Sequence, residues 1–255
     1  VTNVRDLPTA IKEAFYIART GRPGPVLIDI AKDVQAAEFD YEYPEQVYLP
    51  GYFLPGDDFS ALVERAAQMI DKAERPLAIA GHGIVLAGAE EALLQLVEKV
   101  QMPVITTLLG ISAMPESHPL CLGMGGMHGE AYTNLALSEA DLIVALGSRF
   151  DDRLTGSLAK FARQATFVHV DVDPVEIGKN VEPALAIVGD LADVLPALVP
   201  LVGRSEGPSS QVQSRRAWLQ RIDEWRGESA ERDIVARETD DLVPQYVVRQ
   251  HWHAT

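Results

Sequence analysis

Runs of apolar residues alternate with segments of helical periodicity along the middle of the chain. Five short runs predict strands, at 77–80, 104–107, 142–146, 167–171 and 185–188. The segments around them predict helices over about 87–100, up to about 139, near 156–163, 174–180 and 191–202. Strands that alternate with helices form right-handed crossovers and a parallel sheet covered on both faces. The predicted fold class is therefore α/β, a Rossmann-like doubly wound parallel sheet.

The two ends of the chain have a different character. Residues 7–20 predict a helix and 26–30 a strand, but this pair cannot bury its own apolar faces, so we expect the tail of a domain whose body lies elsewhere. Residues 36–58 are rich in proline and aromatic residues and predict an extended connector. Residues 203–213 predict a linker, and a charged helix over 214–233 follows it. The apolar stripe of that helix is typical of a docking face: Trp218, Leu219, Ile222 and Trp225.

Composition and charge narrow the classes of function. The 255 residues are 47% hydrophobic and 23% charged, which is typical of a globular protein with a sizeable core. A net charge of −15 disfavours nucleic acid as a partner, and no apolar run has the length of a membrane span, so no membrane partner is expected either. The single cysteine, Cys121, fits a reducing cytosol or an organelle matrix. No secretory leader is recognisable, and we expect a cytoplasmic protein.

The strand at 142–146 is followed by a dense group of charges. Gly147 ends this strand, and four charged residues come next: Arg149, Asp151, Asp152 and Arg153. Ligands of open α/β sheets bind at the carboxyl ends of the strands, so the cluster is a candidate site. A solvated loop with two local ion pairs is the alternative.

The earlier strand ends carry groups suited to the same ligand. Gly81 and Gly83 would let a phosphate or sugar approach the backbone, although the third glycine of the dinucleotide fingerprint is missing and a tight turn explains them equally well. Thr107 offers a hydroxyl group. Residues 121–129 contain four glycines and predict a loop whose backbone can lie against a planar ligand, with a mobile loop as the alternative.

Acidic residues end the later strands. Asp171 is a candidate acceptor for a ribose hydroxyl, Asp173 before Pro174 suits a helix N-cap, and Asp190 suits either role. His128 has no second ligand at metal-binding spacing, and no nucleophile and base stand together. The strand ends therefore predict one dinucleotide crevice with arginines for a diphosphate, and neither a metal site nor a catalytic residue.

Four motifs carry a family resemblance: GRPGPVLIDIAKD (21–33), GMGGMHG (123–129), GSRFDDRLTG (147–156) and HVDVDPVEIGKN (169–180). They resemble the catalytic (large) subunits of acetohydroxyacid (acetolactate) synthases, a family of thiamine-diphosphate-dependent enzymes. The resemblance covers nearly the whole chain, and RFDDR followed by TG is highly specific. Glyoxylate carboligase and pyruvate oxidase are less similar in these motifs.

The resemblance implies a division of the chain and a cofactor. The implied parts are the C-terminal tail of the pyrimidine-binding domain, a connector, the central FAD-binding domain, a linker with a docking helix, and the start of the diphosphate-binding domain, at 1–35, 36–59, 60–202, 203–239 and 240–255. The activating glutamate and the GDG…N metal motif of the family are absent from these residues. We therefore expect FAD at most to bind here, with thiamine diphosphate and Mg bound by other parts of the full-length enzyme, and no activity from this fragment.

The resemblance also implies site residues. The implied flavin contacts are Arg22, Gly81, Gly83, Thr107, Leu108, Gly126, Met127, His128, Gly147, Arg149, Asp151, Arg153, Asp171, Val172 and Asp190. Lys32 resembles a lysine that lines the family's substrate channel. His82 stands where the family commonly has glycine, and Leu154 where valine is usual; His82 bears on how closely a ligand can approach that turn.

The activity implied for the full enzyme is the condensation of two pyruvates, or of pyruvate and 2-oxobutyrate, with loss of CO2 in branched-chain amino acid biosynthesis. The implied partners are 2-oxo acids, further copies of the chain and a regulatory small subunit. One alternative is the scaffold domain of a related decarboxylase or carboligase that binds no flavin. Another is an NAD-dependent dehydrogenase domain, which the missing third glycine disfavours.

Overall fold

A six-stranded parallel sheet forms the centre of the molecule. The computed structural model describes residues 1–52, 54, 56, 58–203, 209–232 and 243–254. The strands are β1 (Pro76–Ala80), β2 (Val104–Thr106), β3 (Cys121–Met124), β4 (Leu142–Leu146), β5 (Thr166–Asp171) and β6 (Leu185–Val188). Their order is β3-β2-β1-β4-β5-β6, and every neighbouring pair is parallel. This confirms the predicted doubly wound α/β fold.

Helices cover both faces of the sheet. The helices of the described residues are α1 (Leu7–Arg19), α2 (Lys32–Ala36), α3 (Ser60–Lys72), α4 (His82–Ala87), α5 (Glu90–Val100), α6 (Ala131–Glu139), α7 (Asp152–Thr155), α8 (Leu191–Leu198), α9 (Ser209–Arg232) and α10 (Pro244–Ala254). The sheet packs with α3, α4, α5 and α8 on one face and with α6, α7 and α9 on the other. Within the described residues, no helix is both long and apolar enough to cross a membrane.

Alternate residues of the central strands enter two separate cores. Ala78 and Ala80 of β1 pack with α3, α5 and α8, whereas Leu77 and Ile79 pack with α6 and α9. All four side chains are fully buried. Because successive strand residues point to opposite faces, a continuous apolar run is what a strand covered on both sides requires.

The stripe on α9 closes the second core. Trp218, Ile222 and Trp225 are buried against the sheet, and the Trp218 indole N–H donates to the Pro76 carbonyl at 3.2 Å. Arg215 donates to the carbonyls of Ile70 and Val100, which lie at the carboxyl ends of α3 and α5. The stripe is thus a docking surface within this chain.

Two predictions about strands are wrong. Residues 26–30 form no strand, and the Leu27 side chain is 91% exposed. Among the described residues no strand lies beside this segment, so its backbone has no ladder partner. In contrast, part of the predicted glycine loop is the edge strand β3, since Val104 and Thr106 of β2 pair with its backbone.

Several predicted helices have other bounds. The helix expected over about 87–100 begins at Glu90 as α5. Gly88, which has a φ of +60°, ends the shorter helix α4 before it. Turns replace the helices expected at 156–163 and 174–180, where Gly156 and Gly178 both have positive φ. At the carboxyl end, α8 stops at Leu198 rather than 202. The expected linker is shorter, because α9 already begins at Ser209, while 204–208 and 233 lie outside the described residues.

Candidate functional site

A cavity of about 720 Å³ opens at the carboxyl edge of the sheet, where the strand order reverses between β1 and β4. We call this cavity the crevice. Its lining comes from the segments after all six strands and from Gly21, Arg22 and Pro23, which follow α1. The volume is that of a site for a small molecule or cofactor, and the position is where doubly wound sheets bind ligands.

Most of the predicted flavin contacts meet at the crevice. Those that line it are Arg22, Gly83, Thr107, Leu108, His128, Gly147, Arg149, Asp151, Arg153, Asp171, Val172 and Asp190. Three others do not line it: Gly81, Gly126 and Met127. Lys32, the predicted channel residue, also lies apart from the lining, at the start of α2.

Bare backbone forms the junction between β1 and β4. Gly81 N–H donates to the Leu146 carbonyl at 2.9 Å, and Gly83 N–H donates to the Gly147 carbonyl at 3.2 Å. A Cβ atom on Gly81 would lie 2.0 Å from the Gly147 oxygen, and one on Gly83 would lie 2.7 Å from Gly147 Cα. Gly81 is therefore needed for the crossing of two backbones, while Gly83 and Gly147 also leave the crevice lining free of side chains. His82 is exposed beside this junction and lines the crevice.

The charged residues after β4 form local ion pairs and also line the crevice. The Asp151 carboxylate accepts from Arg153 N–H at 3.1 Å and Leu154 N–H at 3.2 Å, so it caps α7. Arg153 lies 2.7 Å from Asp152, and Arg149 lies 3.6 Å from Asp151. The two local ion pairs exist, and the same two arginines line the crevice.

The loop after β3 is fixed by Asn134 of α6, a residue that the sequence did not point to. Its amide oxygen accepts from Gly126 N–H and its amide nitrogen donates to the Gly126 carbonyl, both at 2.9 Å. Met127 N–H donates to the Arg153 carbonyl at 2.8 Å, whereas the Met127 side chain is exposed. This loop thus positions the backbone of α7 against the crevice.

Two acidic residues of the crevice are held by backbone N–H groups. The buried Asp171 carboxylate accepts from Asp173 N–H at 2.9 Å, and burial raises the pKa of Asp171. The Asp190 carboxylate accepts from Ala192 N–H at 2.9 Å and caps α8. Asp173 caps a turn rather than the helix expected there, through Val175 N–H at 3.1 Å.

A buried histidine lies beneath the crevice. His169 is fully buried, and burial lowers the pKa of its imidazole. Its Nε2–H donates to the Ser148 carbonyl at 2.9 Å, while Nδ1 and the Ser148 hydroxyl have no hydrogen-bond partner among the described residues. The described residues contain no group of three or more metal-ligating side chains placed to hold an ion.

Arg22 reaches the crevice from far away in the sequence. Its guanidinium donates to Glu176 at 2.9 Å and to Asp173 at 3.4 Å. Glu176 is buried, although it belongs to none of the predicted contacts. Lys179 lies three positions from Glu176, so the sequence indicates that this pair is close. Arg22 lies 154 positions from Glu176, and the sequence does not indicate that contact.

These features define a doubly wound α/β domain with a crevice at its topological switch point, where such sheets bind ligands. The chain belongs to the thiamine pyrophosphate enzyme family: the family model described as "Thiamine pyrophosphate enzyme, central domain" matches residues 63–198, more than half of the chain. The match confirms the family inferred from the motifs.

Curated relatives are acetolactate synthase large subunits. The chain is 45% identical over 224 residues to the probable acetolactate synthase large subunit of Methanocaldococcus jannaschii, covering 85% of this chain and 36% of that protein. It is 41% identical over 250 residues to the acetolactate synthase large subunit of Corynebacterium glutamicum, covering 97% and 39%. It is 42% identical over 251 residues to the acetolactate synthase large subunit of Porphyra purpurea, covering 97% of this chain and 42% of that protein. The chain thus spans about two fifths of the length of these relatives.

Proposed function

We propose that this chain is the FAD-binding central part of an acetolactate synthase large subunit, and that the crevice is the flavin site. The observation that carries the proposal is the crevice itself, where a glycine-lined junction at the switch point faces three arginines. The relatives are named acetolactate synthase large subunits, and this supports the proposal that the chain is part of the same enzyme. The proposed site residues are those that the resemblance implies and that line the crevice.

The chemistry of the lining suits FAD. Arg22, Arg149 and Arg153 supply the cations that a diphosphate requires, since guanidinium groups donate paired hydrogen bonds to phosphate oxygens. The buried Asp171 carboxylate supplies an acceptor for a hydroxyl group of the ligand. Leu86 and other apolar side chains of the lining offer contact surface to a planar ring: Leu108, Leu109, Met124 and Leu154. In this proposal FAD has a structural part, in a reaction without net redox change.

We propose that the full enzyme joins two pyruvates, or pyruvate and 2-oxobutyrate, with loss of CO2. Thiamine diphosphate and Mg would supply the carbanion chemistry from parts of the protein other than these 255 residues. Lys32 would line the route of the 2-oxo acids, and the full enzyme would be a cytoplasmic homo-oligomer with a regulatory small subunit. The chain alone would be inactive.

One observation favours a second function, a scaffold domain that binds no flavin. Each of the three crevice arginines already lies within 3.6 Å of a carboxylate of this chain, so its charge is partly balanced without a ligand. A domain of that kind would keep the fold and the ion pairs and would leave the crevice to solvent.

Flavin titration of two matched variants separates these functions. Arg153→Ala removes a crevice guanidinium, and Arg163→Ala removes an exposed one outside the crevice. The flavin site predicts saturable quenching of FAD fluorescence that Arg153→Ala weakens about tenfold or more, the value of a charge-assisted hydrogen bond. Arg163→Ala should bind as the unaltered chain does. Equal binding by both variants would contradict a flavin site in the crevice, and no binding by the unaltered chain would support the scaffold.

A further inference from the structure

The ion-pair group around Glu176 links two distant parts of the chain. Glu176 lies in the turn after β5 and is 6% exposed, whereas Arg22 lies just after α1 and is 45% exposed. Glu176 Oε1 is 2.9 Å from Arg22 Nη1, and Oε2 is 3.3 Å from Lys179 Nζ. A carboxylate with this little exposure requires cations close by, because burial penalises an unpaired charge.

The two carboxylates that contact Arg22, those of Asp173 and Glu176, differ in their other hydrogen-bond partners. Asp173 uses one oxygen to accept from Val175 N–H, and its other oxygen is 3.4 Å from Arg22. The Glu176 carboxylate contacts Arg22 and Lys179, and its hydrogen bond to Arg22 is the shorter one. Partial burial by itself would lower the pKa of Arg22, but its hydrogen bonds to Glu176 and Asp173 raise the pKa above the ordinary value. Glu176 is thus the stronger anchor of this guanidinium.

The backbone around Arg22 is shaped to deliver it to the crevice. Gly21 has a φ of +58°, which turns the chain sharply after α1, and Gly24 N–H donates back to the Ala18 carbonyl at 3.1 Å. Tyr52 donates from its hydroxyl to the Thr20 carbonyl at 3.0 Å. We call residues 20–24 the Arg22 turn. Arg22 joins it to the turn after β5 through ion pairs with Glu176 and Asp173, and Gly21, Arg22 and Pro23 line the crevice.

We propose that Glu176 is a positioning residue for the crevice: it holds Arg22, and with it the Arg22 turn, over the bound diphosphate-containing ligand. The proposal rests on the proposed function for its ligand, and on the ion pair alone for the positioning. Glu176 acts through Arg22 and does not itself contact the ligand. This role explains why a buried carboxylate lies next to a crevice for an anionic ligand: the Glu176 charge orients the Arg22 guanidinium, which would bind the ligand.

The experiment compares Glu176→Gln with Glu182→Gln in the full 255-residue chain. Glu182 lies six positions further on, is exposed and undergoes the same change of charge. Hydrogen exchange without ligand should show at least threefold faster exchange at Gly24 N–H in Glu176→Gln and no change in Glu182→Gln. Unchanged exchange in Glu176→Gln would overturn the positioning role.

Flavin binding tests the consequence with a double-mutant cycle. Glu176→Gln should weaken FAD binding about three- to tenfold, as expected for a displaced charge-assisted hydrogen bond, and should have no effect when Arg22 is already alanine. An equal loss in both backgrounds would mean that Glu176 acts independently of Arg22 and would overturn the proposal. If the unaltered chain binds no FAD, the proposed function fails, and the exchange result alone decides the positioning role.

Discussion

The close crossing of two backbones makes Gly81 the most sensitive glycine of the crevice junction. We predict that Gly81→Ala destabilises the fold although it adds a single methyl group. A Cβ at this position would meet the Gly147 oxygen at 2.0 Å, the Gly147 carbonyl carbon at 2.6 Å and Ser148 Cα at 2.8 Å. All three are backbone atoms, so no flexible side chain can move aside.

The magnitude follows from what must shift. Gly81 N–H bonds to Leu146 at the end of β4, and Gly147 N–H bonds to Val170 in β5, so separating the backbones strains the three central strands. Overpacking destabilises a folded protein by about 1–3 kcal/mol. Because the added Cβ would meet backbone atoms only, we expect Gly81→Ala to lower the free energy of unfolding by about 3 kcal/mol. For a chain of this size that corresponds to a fall in Tm of about 6–12 °C.

Thermal unfolding followed by circular dichroism measures this effect, with Gly24→Ala as the control. A Cβ atom added at Gly24 would have no heavy atom within 4 Å, and Gly24 has no positive φ, so the Tm of this variant should stay within about 2 °C of the unaltered chain. A Gly81→Ala protein as stable as Gly24→Ala would refute the close crossing of β1 and β4.

Three further predictions concern α9 and the buried histidine. Trp218→Ala removes a buried indole and its hydrogen bond, so urea unfolding should show a loss of about 3–5 kcal/mol, and Trp218→Phe a smaller one. Arg215→Ala should cost about 1.5–3 kcal/mol, because its guanidinium bonds the carbonyls that end α3 and α5, whereas the exposed Arg216→Ala should change stability by less than about 0.5 kcal/mol. The pKa of His169 is lowered, so the unfolded chain binds more protons below the ordinary value of 6.5, and stability should fall as pH drops from there. His169→Gln, which keeps a donor for the Ser148 carbonyl, should flatten that fall.

Each of these has a clear contrary result. Equal stabilities for Trp218→Ala and the unaltered chain would mean that α9 does not close the second core. A loss shared by Arg215→Ala and Arg216→Ala would point to helix charge rather than to the carbonyl contacts. The same pH slope with and without His169 would show that its imidazole is not kept neutral by burial.

The sheet was predictable because burial leaves a signature in the sequence. A strand such as β4, covered on both faces, has to be apolar at every position, and Leu142–Leu146 is. The edge strand β3 is half-buried and contains Gly123, so its pattern looked like a loop. Residues 26–30 are apolar at every position except Asp29, but no strand lies beside them among the described residues, and pairing is a property of the fold rather than of the segment.

The crevice was predictable in outline for a geometric reason. Parallel strands bring their carboxyl ends to one edge, so Gly83, Thr107 and Asp171 had to converge once the strands were assigned. The side chains that set the fine geometry could not be predicted in this way. Asn134 and Glu176 act through partners on other elements, and only the folded chain brings them together.

The central claim, a flavin site in the crevice, is tested most directly by the stoichiometry of FAD binding to the purified 255-residue chain. Equilibrium dialysis read by flavin absorbance gives the number of sites and their affinity. The crevice predicts saturation at one FAD per chain, weakened by added salt because arginines contact the diphosphate. Absence of saturable binding, or salt-independent uptake of several flavins per chain, would contradict it.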